Sequence, residues 1–234
     1  MKRIVIFWGA YGSGKTEIAI NYALEGAKKG RRVALVDFDL VTPYFRVRDV
    51  YRFLETKGLQ VIKPSNGVCN SDLPVFSPEV LEALYNPYHQ LIFDVGGDAI
   101  GARPLGYLSK LLPSQGYEAF LVININRPQT RDIPSIKAVL QNIERVSRIK
   151  TTGLVSNTHL GNRTTLADIK RGYETVLQAS RELGIKLAFV CIPEFLREEL
   201  QRSSWQKDFQ APVLVLRRYL LLPWEEDINA EGDI

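Results

Sequence analysis

Short, wholly apolar runs alternate along this chain with longer stretches that are apolar on one helical face. Ile4-Val5-Ile6-Phe7-Trp8 has no polar position, as expected of a strand covered on both sides. Residues 15–29 then place Ile18, Ala19, Tyr22, Ala23 and Ala27 along one helical face, with Lys28 and Lys29 in the last turn and Gly30 as a stop. Arg32-Val33-Ala34-Leu35-Val36-Asp37 is a second buried strand. A strand, a helix and a strand of these lengths predict a right-handed crossover between parallel neighbours.

The alternation continues to the end. Residues 38–76 are less regular, with a short helix near 46–57 and a brief strand near 60–63. Ser77 caps a helix that has Pro78 at its first position and runs to about Tyr85. Strands are expected at 90–94, 119–124, 152–156 and 187–191. Between them fall a short helix near 105–112 and longer helices over 132–147 and 165–183, the last opened by the capping box Thr165-x-x-Asp168 and closed by Gly184. A helix near 194–202 follows, then an edge strand or packed extended segment at 212–216. The pattern predicts an α/β fold: a three-layer, doubly wound, mainly parallel sheet.

Composition narrows this further. Of 234 residues, 45% are apolar and 24% charged, which suits one domain over 1–224 with a full core. The last ten residues hold Glu225, Glu226, Asp227, Glu231 and Asp233 and no Lys or Arg, and are expected to be a disordered acidic tail. Ahead of it stand 30 basic and 21 acidic side chains, a balance of +9 within a chain of net charge +4. That suits an anionic ligand and falls short of a nucleic-acid signal. Two cysteines (Cys69, Cys191) and two histidines (His89, His159) give neither a disulfide framework nor a dedicated transition-metal site. No apolar run reaches the roughly 18 residues of a membrane span, and the first strand starts almost at once, so the expected location is the cytoplasm.

The chemistry is concentrated where strands end. Between the first strand and first helix lies Gly9-Ala10-Tyr11-Gly12-Ser13-Gly14-Lys15-Thr16, the pattern G-x-x-x-x-G-K-[ST] of a phosphate-binding loop. Its glycines let successive backbone N–H groups turn toward one anion, and the new helix adds its positive end. Gly9, Tyr11, Gly12, Ser13, Gly14, Lys15 and Thr16 are therefore the expected nucleotide-binding residues. Lys15 is expected to reach the β- and γ-phosphates, and the Thr16 hydroxyl to ligate Mg²⁺.

Four other strand ends add candidates. The second strand ends Val36-Asp37-Phe38-Asp39, with both carboxylates toward the phosphate edge. Either can hold Mg²⁺ or its waters; Asp39, further into the loop, is assigned to water positioning for hydrolysis and Asp37 to the metal. Arg46 and Arg48 could stabilise phosphoryl charge or pair with Asp49 at the surface. The strand at 90–94 delivers Asp94 to the metal in the manner of a Walker B carboxylate, and Asp94-Val95-Gly96-Gly97 fits D-x-x-G, in which Gly97 offers a backbone N–H to a γ-phosphate. Arg103 is a further phosphate contact or a structural ion pair. Asn157, ending the strand at 152–156, has an amide able to match adenine. The guanine-reading form N-K-x-D would need Lys at 158 and Asp at 160, where this chain has Thr158 and Leu160. Ile192 and Pro193 end the last core strand, and Cys191 reads as a small buried apolar residue.

With these residues the chain resembles the MinD/ParA and CobQ/CobB-type branch of P-loop NTPases, the SIMIBI class, over most of residues 1–194. The resemblance implies that Asp37, Asp39 and Asp94 serve Mg²⁺ and water, and that Asn157 reads adenine. It also implies a homodimer closed over nucleotide. One position departs: where that branch has a second lysine just after the first loop glycine, this chain has Ala10, which can neither donate a hydrogen bond nor carry charge. The function expected is Mg²⁺-dependent ATP binding, with hydrolysis driving a switch on a protein partner. A phosphotransferase or ligase acting on a small acceptor, and a regulatory subunit with little turnover, are the alternatives.

Overall fold

The computed structural model describes residues 2–39, 46–63, 77–87, 89–97, 102, 105–112, 116–203, 205 and 209–221. Residues 41–45, Cys69, Arg103 and the acidic tail lie outside these, so the expectations attached to them have no structural counterpart below.

Among the described residues eight strands form one sheet in the order β3-β2-β4-β1-β5-β6-β7-β8. They are β1 (Ile4–Trp8), β2 (Arg32–Phe38), β3 (Gln60–Ile62), β4 (His89–Val95), β5 (Tyr117–Ile123), β6 (Gly153–Ser156), β7 (Leu187–Pro193) and β8 (Val213–Leu216). All of the pairings are parallel. The segment at 212–216 is thus an edge strand, running from Val213 to Leu216 against β7. Among the described residues the helices are α1 (Lys15–Lys28), α2 (Tyr51–Thr56), α3 (Pro78–Tyr85), α4 (Leu105–Leu108), α5 (Ile133–Ser147), α6 (Leu166–Leu183) and α7 (Arg197–Arg202). The expected helix near 46–57 is broken into a 3₁₀ turn, Val47–Asp49, followed by α2. The helix expected near 105–112 is a single turn.

Alternation along the strands builds a hydrophobic core on each face of the sheet. Ile4, Ile6 and Trp8 join Phe93, Leu121, Ile123 and the α3, α5 and α6 side chains on one face. Val5 and Phe7 join Leu35, Phe120, Phe189 and Ile18, Ala19 and Ala23 of α1 on the other. Caps fix where the helices begin. Ser77 accepts from the Val80 N–H, Asp132 from Ser135, and Thr165 and Asp168 form the expected reciprocal capping box. β1 is central, between β4 and β5, so its carboxyl end faces the carboxyl ends of both neighbours. An open parallel sheet places its ligand crevice at such a point.

Candidate nucleotide site at the carboxyl edge of the sheet

The loop between β1 and α1 is shaped by three glycines with positive φ: Gly9 (148°), Gly12 (72°) and Gly14 (82°). Larger residues would be strained at all three and would also collide with neighbours. A Cβ on Gly9 would strike the Val122 carbonyl, one on Gly12 would lie 2.6 Å from Arg127 Nε, and one on Gly14 would strike the Asn157 amide. Gly97 closes the loop from the β4 side: a Cβ there would lie 2.9 Å from the Tyr11 nitrogen. Ser13 is buried and its hydroxyl has no hydrogen-bond partner among the described residues.

The ends of β5 and β6 brace this loop from outside. Arg127 Nε donates to the Gly12 carbonyl at 3.0 Å, and Asn124 Nδ2 donates to the same oxygen at 3.3 Å. Asn157 Nδ2 donates to the Ser13 carbonyl at 2.7 Å. His159 lies beside them, its backbone N–H donating to Asn124 Oδ1 at 3.3 Å. Burial, with the Arg127 cation adding to it, pushes the His159 pKa down to about 4, so the ring is neutral at physiological pH. The brace occupies the Gly12 and Ser13 carbonyls, and the Ser13 N–H donates to the Ala10 carbonyl at 3.1 Å within the loop.

Lys15 and the aspartates meet on the inner side. Lys15 is only 5% exposed, and its Nζ stands 3.7 Å from Asp39 Oδ2. Asp37 and Asp94 are register partners on adjacent strands. Arg48 closes on Asp37 from the side, with Nε donating to Oδ2 at 2.7 Å and Nη2 to Oδ1 at 3.0 Å. The Arg48 backbone N–H also donates to Asp37 Oδ2, and Nη2 donates to the Asp39 carbonyl at 2.6 Å. Arg48 is therefore a partner of Asp37, while Asp49 interacts with Arg46.

Asp94 differs from both. It is completely buried, and apart from the Thr16 hydroxyl beside it no group among the described residues hydrogen-bonds its carboxylate oxygens. Burial pushes its pKa up to about 7 against the pull of the Lys15 ammonium; the Asp37 carboxylate adds to the rise and the Thr16 hydroxyl opposes it. A fully buried carboxylate with so little hydrogen bonding needs a proton or a cation.

Two features behind the loop belong to no sequence motif. Glu17, next to Thr16, accepts from the Tyr219 N–H at 3.0 Å and the Leu220 N–H at 2.7 Å. Asn21, one turn on, exchanges two hydrogen bonds with the backbone of Arg217. The segment after β8 is thereby fastened to the first turns of α1, with Leu220 buried in the core beside it. Burial pushes the Glu17 pKa up to about 7 despite these N–H donors.

No protein-family model and no curated protein sequence matches the chain. Solved structures do match in fold. The cell division protein FtsY of Thermotoga maritima aligns with 81% of this chain and 61% of its own, at a TM-score of 0.56 and 22% identity. The signal recognition particle receptor FtsY of Elizabethkingia anophelis, solved with GDP, aligns over 82% and 58%, at a TM-score of 0.54 and 17% identity. FlhF, solved with GTP and Mg²⁺, aligns over 81% and 65%, at 0.54 and 16%. The chain thus spans about three fifths of the length of these solved chains. At this level of identity the likeness is one of fold: the α/β, parallel-sheet fold of P-loop NTPases. Among the described residues no helix is long and apolar enough to cross a membrane.

Proposed function

We propose that this protein binds Mg²⁺–ATP at residues 9–16 and hydrolyses it slowly, as a nucleotide-dependent switch acting on a protein partner. The observation that carries the reading is Asp94, buried near the end of β4 with no hydrogen-bond partner among the described residues but the Thr16 hydroxyl. Among the described residues no three His, Cys, Asp or Glu side chains could hold a metal ion by themselves. That donor set suits Mg²⁺, which takes one or two carboxylates together with phosphate oxygens and waters. Thr16 and Asp94 are the residues proposed to hold it. Asp37, the other expected ligand, could join them only after exchanging its Arg48 partner. The ion would neutralise charge on the phosphates.

The remaining roles belong to the chain's own groups. The loop N–H groups bind phosphate oxygens, with Gly97 offering one more beside Tyr11. Lys15 exchanges Asp39 for phosphoryl oxygen. Asp39 accepts a hydrogen bond from the attacking water and orients it.

Adenine is favoured by what Asn157 has left. With Nδ2 donated to Ser13, its Oδ1 is an acceptor, which complements the adenine N6–H and opposes the guanine O6. Leu160 offers no acceptor for the guanine N1–H and N2–H groups. The second reading, a guanine nucleotide, is favoured by the GDP and GTP bound in two of the similar structures. The MinD/ParA-like reading is kept for the site but without the lysine that crosses a dimer, since position 10 is a buried alanine.

Titration calorimetry with ATP and GTP, with and without Mg²⁺, tests the reading. Tighter Mg²⁺-dependent ATP binding, with slow turnover that a partner accelerates, is expected. Turnover only with an added acceptor would replace the switch by a phosphotransferase or ligase, and binding without turnover would leave a regulatory subunit.

A further inference from the structure

Residues 217–220, which follow β8, touch two helices at once: α1, which starts in the glycine-rich loop, and α2, which continues the turn carrying Arg48. On the α1 side the contact is polar. Both Glu17 carboxylate oxygens accept from the Tyr219 N–H, at 3.0 and 3.2 Å, and one also accepts from the Leu220 N–H at 2.7 Å. Asn21 donates to the Arg217 carbonyl at 2.8 Å and accepts from the Arg217 N–H at 2.9 Å. On the α2 side the contact is apolar. The Tyr219 ring packs on Phe53, with centroids 5.4 Å apart. Val47 of the turn, Leu54 of α2 and Leu220 are buried in one core, against which Val50 and Tyr219 also pack.

Arg48 holds Asp37 with its backbone N–H, at 3.1 Å, as well as with its guanidinium. Freeing Asp37 therefore takes more than turning one side chain. The backbone of the Val47–Asp49 turn has to shift, and α2 begins two residues after it.

We propose, on the nucleotide reading above, that residues 217–220 are an autoinhibitory strap. Anchored on α1 by Glu17 and Asn21, they hold Phe53 and so keep the Arg48 turn on Asp37. A shift of the turn that frees Asp37 for the metal carries Phe53 off Tyr219. The aromatic contact belongs to the Arg48-bound arrangement alone, so it opposes the Mg²⁺-dependent part of nucleotide binding. The coupling runs both ways: a partner that lifts the strap tightens Mg²⁺–nucleotide, and Mg²⁺–nucleotide loosens the strap.

Phe53 is 39% exposed, so Phe53→Ala spares the buried cores and tests the strap. In the empty protein, hydrogen exchange at the Arg48 amide should quicken roughly two- to tenfold, the range of one aromatic pair. Exchange at the Asp168 amide, inside its capping box, should not change. By calorimetry Phe53→Ala should bind ATP more tightly by a similar factor with Mg²⁺, and no differently without it. A merely structural role would leave binding unchanged or weaken it. Tyr219→Phe keeps the ring and should behave as the wild type. Unchanged Arg48 exchange, or a wild-type Mg²⁺ response in Phe53→Ala, would overturn the strap and leave the nucleotide reading standing. A wild-type protein that binds no nucleotide would overturn both.

Discussion

Arg48 reaches back eleven residues to grip both oxygens of Asp37, at 2.7 and 3.0 Å, beneath the loop that carries Lys15. Asp37 is fully buried and Arg48 partly so. Such a pair is worth little over an apolar substitute, but removing one partner strands a buried charge. Arg48→Ala should therefore destabilise the empty protein by about 3–5 kcal/mol. In urea titrations, Arg48→Ala with Asp37→Asn together should cost less than the sum of the two single changes. Additive costs would mean that the pair is not coupled.

Asp94 gives the empty protein a defined pH dependence. Its folded pKa, raised to about 7, exceeds its unfolded value, so protonated Asp94 favours the folded state at low pH. That contribution is complete below about pH 4 and is lost as pH rises through about 7, at about 1.4 kcal/mol for each pH unit between the unfolded and folded pKa. Glu17 is raised in the same direction and adds to the trend. Thermal midpoints without nucleotide should fall from pH 5 to pH 8, and Asp94→Asn should flatten the fall while weakening Mg²⁺-dependent binding. An unchanged slope in Asp94→Asn would remove Asp94 as a source.

The loop brace should be felt in affinity. Arg127→Ala takes a charged donor from the Gly12 carbonyl, an interaction of about 1.5–3 kcal/mol, so nucleotide should bind roughly tenfold or more weakly. Gly12→Ala, strained at φ 72° and opposed by the same guanidinium, should be worse. Fluorescent-nucleotide titration reads both, and wild-type affinity in Arg127→Ala would show that the brace is dispensable.

Asn157 separates bracing from base reading. Asn157→Ala should lower affinity for both nucleotides and also reduce the preference for ATP over GTP. A fall of equal size for both would leave Asn157 as a brace alone.

How much of the fold and site is legible in the sequence follows from the range of the contacts. The glycine-rich loop, the capping box at Thr165 and Asp168, and Asp94 near a strand end are local patterns: the loop joins β1 to α1, the capping box opens α6 and Asp94 lies in β4. The two arginines of the 46–49 turn could not be assigned from sequence, because their choice of partner depends on how that turn packs against β2. Asn124 and Arg127 follow a strand with no motif of their own. They matter because β5 lies directly beside β1, which only the strand order reveals. Glu17 and Asn21 read simply as helix positions, since their partners lie about 200 residues away. A polar residue on an otherwise buried helix face was the available signal.

The central claim is a metal-dependent nucleotide site centred on Lys15 and Asp94. Its most direct test is calorimetric titration of ATP into the wild-type, Lys15→Ala and Asp94→Asn proteins, with and without Mg²⁺. The account predicts one tight site in the wild type that Mg²⁺ strengthens, loss of binding in Lys15→Ala, and residual binding in Asp94→Asn that no longer responds to Mg²⁺. Absence of nucleotide binding by the folded wild-type protein, or full Mg²⁺ enhancement in Asp94→Asn, would contradict it.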